Sequence, residues 1–298
     1  MDARTPPPAT HPGASGPIPA RDVPDATIVG THVAEPRMGE RRDGGLSGEP
    51  PRGAAAEPGA VAAQDAYFAA RGLKAYYGDS YIVQDVSVDV AEGEIVALLG
   101  RNGAGKTSTL RAIARAAAPE LRSGEVWLQG TSLHDKEDWQ AANAGIQLVP
   151  EDRRIIPGLT VEENLDLARI NGEPGWEYER VYDLFPRLKE RRRQEGTTMS
   201  GGEQQMLAIA RALVRDIKLL LLDEPYEGLA PVVRHDIERA LLEVRAAGIT
   251  TILVEQNAVA ALKLADSAII MDTGEIAFRG TAAHVLGDEQ LRHDYLAI

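Results

Sequence analysis

The sequence contains no cysteine, which excludes disulfide bonds, thiol nucleophiles and thiolate metal sites. Aromatic residues make up only 5% of its 298 residues, and long apolar runs are missing. A membrane-spanning helix needs roughly 20 consecutive apolar residues, whereas the most apolar run, residues 219–222, has the length of a buried strand. The first 30 residues lack the apolar segment of a signal peptide. We therefore expect a chain that does not cross a membrane itself and carries no secretion signal.

Basic charge is scarce as well. The chain has 32 Lys and Arg against 45 Asp and Glu, which gives a net charge of -13. Nucleic-acid binding needs clustered basic side chains that neutralise phosphates. The densest basic run, Arg191 to Arg193, is short and typical of a solvated helix end. We expect no nucleic-acid partner, and the six scattered histidines lack metal-ligand spacing.

Residues 1–66 differ in composition from the rest of the chain. Eleven of the 18 prolines precede residue 60, and no periodic apolar pattern is present. Such a segment buries too little apolar area to offset the entropy of ordering, so it is predicted to be a disordered Pro/Gly/Ala-rich tail. Its mixture of Asp, Glu and Arg is unlike a transit peptide, although a targeting role stays open.

From residue 67 onward, strand and helix signals follow one another. Strands are predicted at residues 86–90, 95–99, 126–129, 146–149, 219–222, 252–254 and 268–271, and helices at 107–117, 204–214 and 232–247. Gly248 is a natural helix stop, and residues 272–274 read as a hairpin turn. Buried strands that alternate with helices predict an α/β fold with a mostly parallel sheet, and the helix-rich stretch 158–215 is a helical insertion.

A phosphate-binding loop is the strongest signal. Residues 100–107, GRNGAGKT, match G-x-x-x-x-G-K-[ST] between an apolar strand and a helix. A chance match in a chain of this length is on the order of 1%, which disfavours a merely glycine-rich turn. Glycines let backbone N–H groups converge on phosphate oxygens, while Lys106 reaches the β- and γ-phosphates and Thr107 holds Mg²⁺. The predicted nucleotide contacts are Gly100, Asn102, Gly103, Ala104, Gly105, Lys106, Thr107 and Ser108.

Two acids, Asp223 and Glu224, follow the apolar strand at residues 219–222. Ligands of open α/β sheets bind at the carboxyl ends of strands. Asp223 is therefore predicted to complete the Mg²⁺ shell, and Glu224 is predicted to polarise an attacking water. The alternative is that these acids only end a core strand.

Ser200 and Glu203 form a capping box at the start of a helix. That local role does not explain Gly201 and Gly202, since each weakens a helix by roughly 1 kcal/mol relative to alanine. Amides at a helix N-terminus bind anions, and glycines would let a phosphate approach closely. We therefore predict that Ser200, Gly201 and Gly202 contact a nucleotide.

The order of these motifs, with SGGEQQ at residues 200–205 and LLLDEP at 220–225, resembles the ATP-binding subunits of ABC transporters over residues 67–298. The resemblance implies a P-loop NTPase with an antiparallel β subdomain that hydrolyses ATP with Mg²⁺. It implies a head-to-tail dimer with a second ABC ATPase subunit, in which each ATP lies between one phosphate loop and the partner's signature. It also implies two transmembrane permease subunits, an extracytoplasmic solute-binding protein and a cytoplasmic, peripheral place on the inner face of the cell membrane.

Residues 149–154 (VPEDRR), 160–165 (TVEENL), 227–231 (EGLAP) and 253–257 (LVEQN) further resemble the LivF-type ATPases of branched-chain amino-acid importers. The ATPases of urea and short-chain amide transporters share several of these segments and stay an alternative. Tyr77 matches the aromatic residue that stacks on adenine in the family, with an ordinary rim or core ring as the alternative.

Three positions depart from the general ABC pattern but not from the LivF-like group. Glu151 stands where a glutamine senses Mg²⁺ and water, Gln256 where a histidine contacts the γ-phosphate, and Ala230 where an aspartate is usual. Glu151 can still coordinate a cation, whereas Gln256 can donate a hydrogen bond to a γ-phosphate oxygen but cannot carry positive charge. We predict that this site is attenuated beside a histidine-bearing partner, whose own site this chain's signature completes.

Two other functions remain as alternatives. The first is an ATP-gated regulatory scaffold with weak hydrolysis, against which the retained Glu224 argues. The second is a non-transport ABC ATPase acting on ribosomes or DNA, which the acidic charge and the single cassette disfavour.

Overall fold

The computed structural model describes residues 62–170 and 172–296. Residues 1–61 of the predicted tail lie outside the described part of the chain. No helix in the two described ranges is both long and apolar enough to span a membrane.

The described strands and helices alternate along the chain. The strands are β1 (Phe68–Tyr77), β2 (Ser80–Val90), β3 (Ile95–Gly100), β4 (Glu120–Leu128), β5 (Thr131–Ser132), β6 (Ile146–Val149), β7 (Leu219–Asp223), β8 (Thr250–Val254), β9 (Ser267–Asp272) and β10 (Glu275–Thr281). The helices are α1 (Lys106–Ile113), α2 (Asp138–Ala144), α3 (Val161–Arg169), α4 (Tyr178–Leu184), α5 (Pro186–Glu190), α6 (Gly201–Leu213), α7 (Pro231–Ala246), α8 (Ala258–Leu264), α9 (Ala282–Gly287) and α10 (Glu289–Leu296).

Six of the described strands form the main sheet, in the order β10-β9-β3-β8-β7-β6. All neighbouring pairs are parallel except the edge pair β10–β9. Leu219 and Leu221 of β7 face one hydrophobic core, and Leu220 and Leu222 face the other. Because both faces of the strand are covered, its sequence is continuously apolar rather than alternating. The predicted α/β fold with a mostly parallel sheet is confirmed.

The antiparallel subdomain is a second sheet, with the described strands in the order β2-β1-β4-β5. Val86, Val88 and Val90 of β2 are buried while the residues between them are not, as their alternation predicts. This sheet shares a core with α1 and with one face of β3. The antiparallel β subdomain is thus confirmed.

The helical insertion lies between β6 and β7, where the described residues form α3 to α6 and a 3₁₀ turn at Gly196–Thr198. Thr160 begins α3, where its hydroxyl accepts the N–H of Glu163 and the Glu163 carboxylate accepts the N–H of Thr160. α3 packs on α6, whose inner face is buried. The insertion therefore has its own helix–helix packing beside the main sheet.

The turn between β9 and β10 ties the phosphate loop to the antiparallel sheet. Gly274 donates its N–H to the carbonyl of Ala104 (3.0 Å) and accepts the N–H of Gln84 in β2 (2.8 Å). The Gln84 side chain also donates to the carbonyl of Thr273 (3.0 Å). A Cβ on Gly274 would lie 2.4 Å from the carbonyl oxygen of Ile82, so this close approach requires glycine. The hairpin predicted at residues 272–274 is confirmed.

Some predicted boundaries are wrong. α1 ends at Ile113 and not at residue 117, because Arg115 adopts a left-handed φ of 59° that stops the helix. β4 begins at Glu120, six residues earlier than predicted, since its first residues extend the pairing with β1. β1 itself was missed because its register shifts around Gly72 interrupt the alternation.

Candidate functional site

The phosphate loop joins the carboxyl end of β3 to the start of α1 at the middle of the main sheet. A Cβ on Gly100 would lie 2.4 Å from the carbonyl oxygen of Met271, and its φ is 145°. Gly105 has a φ of 98°, and its Cβ would lie 3.1 Å from the carbonyl oxygen of Ile82. Both positions demand glycine, so neighbouring strands fix the path of the loop. Asn102 and Gly103 are exposed on the loop, whereas Ala104 and Ser108 are buried.

Lys106 folds back over this loop. Its side chain is buried, and Nζ donates to the carbonyls of Gly100 (3.0 Å) and Arg101 (3.2 Å). Burial lowers the pKa of Lys106, while the charges of Glu224 and Asp223 oppose that shift. The first backbone N–H groups of α1 have no acceptor within the helix, so the start of α1 presents both the Lys106 ammonium group and a set of N–H donors. That combination suits a polyphosphate.

Thr107 and Asp223 are in direct contact. The Thr107 hydroxyl donates to Oδ1 of Asp223 at 2.9 Å. Asp223 is 1% exposed, and its Oδ2 is buried with no hydrogen-bond partner among the described residues. Burial raises the pKa of Asp223, whereas the Thr107 hydrogen bond and the charge of Arg111 lower it. A buried carboxylate oxygen without a partner is costly, and a divalent cation beside Thr107 would satisfy it.

Glu224 follows directly and has a left-handed φ of 49°. Its N–H donates to the carbonyl of Val254 at 2.9 Å. The Gln256 amide donates to the carboxylates of Glu224 (2.8 Å) and Glu227 (3.1 Å). Burial, followed by the neighbouring Glu227 carboxylate, raises the pKa of Glu224 to about 7. A carboxyl that titrates near neutral pH is suited to general-base work.

Tyr77 and Glu151 lie near these residues. Tyr77 is 39% exposed at the end of β1, and its hydroxyl accepts a hydrogen bond from Arg111 of α1 at 3.4 Å. Glu151 is exposed after β6, and its charge raises the pKa of Asp223. Ala230 is the exposed residue that precedes α7. The structure therefore gathers Tyr77, the phosphate loop, Asp223, Glu224, Gln256 and Glu151 at one end of the main sheet.

Ser200, Gly201 and Gly202 belong to a second group, at the start of α6 in the helical insertion. Ser200 accepts the N–H of Glu203 at 3.3 Å, and Glu203 accepts the N–H of Ser200 at 3.0 Å, which confirms the capping box. A Cβ on Gly202 would lie 2.5 Å from a methyl carbon of Val233 in α7. One on Gly201 would lie 2.9 Å from the Arg153 guanidinium. Close packing against Val233 thus favours glycine at position 202, a reason that the sequence argument from phosphate approach had missed, whereas the flexible Arg153 side chain could move away from position 201.

Three site residues were missed by sequence reasoning. Arg111 links Tyr77 to Asp223, and its position on α1, four residues after Thr107, was the available signal. Glu227 and Glu255 were noticed only within motifs that carry a resemblance. An acid directly after the apolar strand β8, at Glu255, was a signal of the same kind as Asp223 and Glu224.

Comparison with known proteins agrees with this arrangement. The ABC transporter family model matches residues 83–227. The high-affinity branched-chain amino acid transport ATP-binding protein BraG of Pseudomonas aeruginosa is 44% identical over 227 residues, which are 75% of this chain and 97% of that protein. This chain belongs to the ABC transporter ATP-binding family.

A second relative and a solved structure are also similar to this ABC ATPase. A probable branched-chain amino acid transport ATP-binding protein, LivF of Archaeoglobus fulgidus, is 36% identical over 222 residues, which are 73% of this chain and 93% of that protein. The solved structure of an ATP-binding subunit of an ABC transporter matches with a TM-score of 0.65 at 28% identity, over 78% of this chain and 96% of that one. The resemblance read from the sequence is confirmed at the level of the family and the fold.

We predict that Gly202→Ala lowers the free energy of unfolding of the ABC ATPase by about 1–3 kcal/mol, because the added methyl group overlaps Val233. Val233→Ala in the same chain should restore most of the loss, as measured by a double-mutant cycle in urea. Gly287→Ala in α9, where the added methyl group meets open space, is the matched control and should leave stability unchanged or raise it by up to about 1 kcal/mol. If the double variant stays as unstable as Gly202→Ala, the packing explanation is wrong.

Proposed function

We propose that this ABC ATPase energises an importer of branched-chain amino acids. The observation that carries the proposal is the 44% identity with BraG, which extends over nearly the whole of that relative. The LivF relative and the motifs shared with the LivF type support the same substrate class. Urea and short-chain amides stay the alternative cargo, since the related ATPases share several motifs.

ATP and Mg²⁺ fit the gathered residues. We assign the polyphosphate to the amides of residues 100–108 with Lys106, and the base to the exposed ring of Tyr77. Mg²⁺, which neutralises phosphate charge when bound, would be held by Thr107 and Asp223, with Glu151 beside them. The buried Oδ2 of Asp223 supports that assignment. Glu224 would accept the proton of the attacking water, and Gln256 would orient Glu224 and a terminal phosphate oxygen.

The proposed transporter contains several other subunits. A second ABC ATPase subunit would place its signature opposite this phosphate loop, and Ser200, Gly201 and Gly202 would do the same for the partner. Two permease subunits, a solute-binding protein and a place on the cytoplasmic face of the membrane follow from an importer. Slower turnover at this chain's site, from Gln256, stays a prediction, and Glu224→Gln placed in each subunit separately tests it. Equal losses of activity from the two changes would contradict the asymmetry.

A cleft supports docking of a permease. It measures about 560 Å³ and lies between α2, the loop after β6 and the helices α3 and α6. Trp139 and Leu167 line the cleft and are 57% and 41% exposed. Exposed large apolar side chains around a cleft favour a protein partner. We assign this surface to a cytoplasmic helix of the permease.

We predict that kcat/KM for ATP hydrolysis rises about tenfold between pH 6 and pH 8, because Glu224 must be ionised to act as a base and its pKa is about 7. Glu224→Gln should lower kcat by about 100-fold or more. Steady-state hydrolysis at saturating Mg²⁺ measures both changes.

Glu227→Gln is the decisive variant for this prediction. Glu227 raises the pKa of Glu224, so removing the Glu227 charge should move the rising limb of the pH–rate profile to lower pH. The pKa of ATP is the same in both proteins, so ionisation of the substrate cannot cause such a shift. Glu243→Gln, at an exposed position near the C-terminal end of α7, is the control and should leave the pH–rate profile unchanged. An unmoved limb in Glu227→Gln would show that another group sets the pH dependence.

We predict that Trp139→Ala weakens recovery of the permease by about tenfold, because a large exposed ring leaves the proposed interface. Melting temperature and hydrolysis by the isolated ATPase should stay unchanged. Leu242→Ala removes a side chain that is 56% exposed on α7 and serves as the control. Equal recovery with Trp139→Ala and with the unaltered chain would exclude the cleft as the docking site.

The substrate class is tested on the whole transporter. Chains that co-purify with the tagged ATPase from its native membrane are identified and reconstituted in vesicles with their solute-binding protein. We expect leucine, isoleucine or valine to stimulate ATP hydrolysis and to accumulate inside, and urea and acetamide to do neither. Stimulation by urea or acetamide alone would replace the amino-acid assignment with the amide one.

A further inference from the structure

One buried acid has no part in the roles proposed so far. Glu255 follows β8 directly and is 4% exposed. Its carboxylate accepts the N–H of Tyr226 at 2.9 Å, and the nearby backbone N–H groups of Gln256 and Asn257 lower its pKa. Burial raises the pKa of Glu255 to about 7, and the charge of Arg234 lowers it. A buried acid normally needs such compensation, and here backbone amides supply most of it.

These bonds connect the two segments that hold the site. Asp223 of β7 pairs with Val254 of β8, and the next residue, Glu224, donates its N–H to the carbonyl of Val254 at 2.9 Å. Two residues later, the N–H of Tyr226 donates to the Glu255 carboxylate. Beyond the last strand pair, the Glu255 carboxylate therefore continues the hydrogen bonding between the segment after β7 and the segment after β8.

Glu224 lies between these two connections and has a strained backbone. Its φ of 49° belongs to the left-handed region, which is unfavourable for a residue with a Cβ. Such a conformation persists only where the surroundings determine it on both sides. The N–H bonds of Glu224 and of Tyr226 are two of the constraints that the structure shows, and the Glu224 carbonyl also accepts the N–H of Glu227 at 3.1 Å.

Gln256 is held by the same carboxylate. It directly follows Glu255 and its backbone N–H lowers the pKa of that carboxyl, while its side-chain amide donates to Glu224 at 2.8 Å. A change in the Glu255 side chain would therefore displace both partners of that contact. An ordinary buried acid in a core would bond to one neighbouring element and leave the site unaffected.

We propose that Glu255 is a positioning residue that fixes the backbones of Glu224 and Gln256 relative to each other. It does so by accepting the N–H of Tyr226 from the segment after β7, while its own backbone begins the segment after β8 that carries Gln256. This inference rests on the proposed roles of Glu224 and Gln256 in ATP hydrolysis. Glu255 itself touches neither nucleotide nor water in this role.

The test compares Glu255→Gln, Glu255→Ala and Glu255→Asp by steady-state hydrolysis. Glutamine keeps a carbonyl oxygen at the acceptor position, so its kcat should stay within about threefold of the unaltered value. Alanine removes the acceptor and aspartate withdraws it, and misplacement of catalytic groups on this scale costs about 10- to 100-fold in kcat. KM for ATP should stay within about threefold, because the phosphate loop belongs to other elements.

Thr250→Val is the matched control. Thr250 lies at the opposite end of β8, is fully buried, and accepts the N–H of Gly93 at 2.9 Å. Its replacement removes a buried acceptor and lowers the melting temperature without changing kcat. If Thr250→Val lowers kcat as much as Glu255→Asp does, the effect is general loss of stability and the proposal is wrong.

Two other results would also overturn it. One is a kcat loss in Glu255→Gln that equals the loss in Glu255→Asp, because the acceptor geometry would then be irrelevant. The other is full activity in Glu255→Ala while Glu224→Gln is inactive. Full activity in Glu224→Gln would instead refute the proposed function of Glu224, so the two failures are distinguishable. Should Glu255→Ala not fold, Glu255→Asp and Glu255→Gln still decide the question.

Discussion

The parallel pairing of β3, β8 and β7 determines where everything else in this ATPase stands. These strands are covered on both faces, so their side chains are apolar up to the carboxyl end of each strand, apart from Thr250 and Thr251 at the start of β8. There the chain leaves the core, so that polar side chains directly after the strands carry a smaller desolvation cost. In parallel strands these ends share one edge, which brings Gly100, Asp223 and Gln256 together from distant parts of the sequence.

That edge concentrates charge on side chains of which Lys106 and Asp223 are buried and Glu224 is half-buried. Lys106 faces the carboxylates of Asp223 and Glu224, and Glu227 stands beside Glu224. Burial raises the pKa of both acids, which shows that their negative charge is only partly compensated. A divalent cation would compensate Asp223, while the amide of Gln256 already bonds to Glu224. The chemistry thus depends on groups that are costly to hold together without a ligand.

Sequence reasoning predicted this edge well and the rest unevenly. The apolar strand at residues 219–222 and the phosphate loop were predicted correctly because a short run of consecutive residues identifies each of them. The contact between Gly202 and Val233 joins two helices that no local pattern relates, and the same is true of Tyr226 and Glu255. The end of α1 depended on a left-handed Arg115, a conformation that its residue type does not favour. What was missed lies in tertiary contacts and in single backbone angles.

The turn at Gly274 has a consequence for how a nucleotide is gripped. It fastens Ala104 of the phosphate loop to Gln84 and Ile82 of β2, the strand that pairs with β1 and thereby with Tyr77. The site that we propose for base and phosphates is therefore built on elements that backbone hydrogen bonds connect to one another. The helical insertion is connected to this assembly by the segments after β6 and before β7, and it also packs against it, since Gly202 of α6 lies against Val233 of α7.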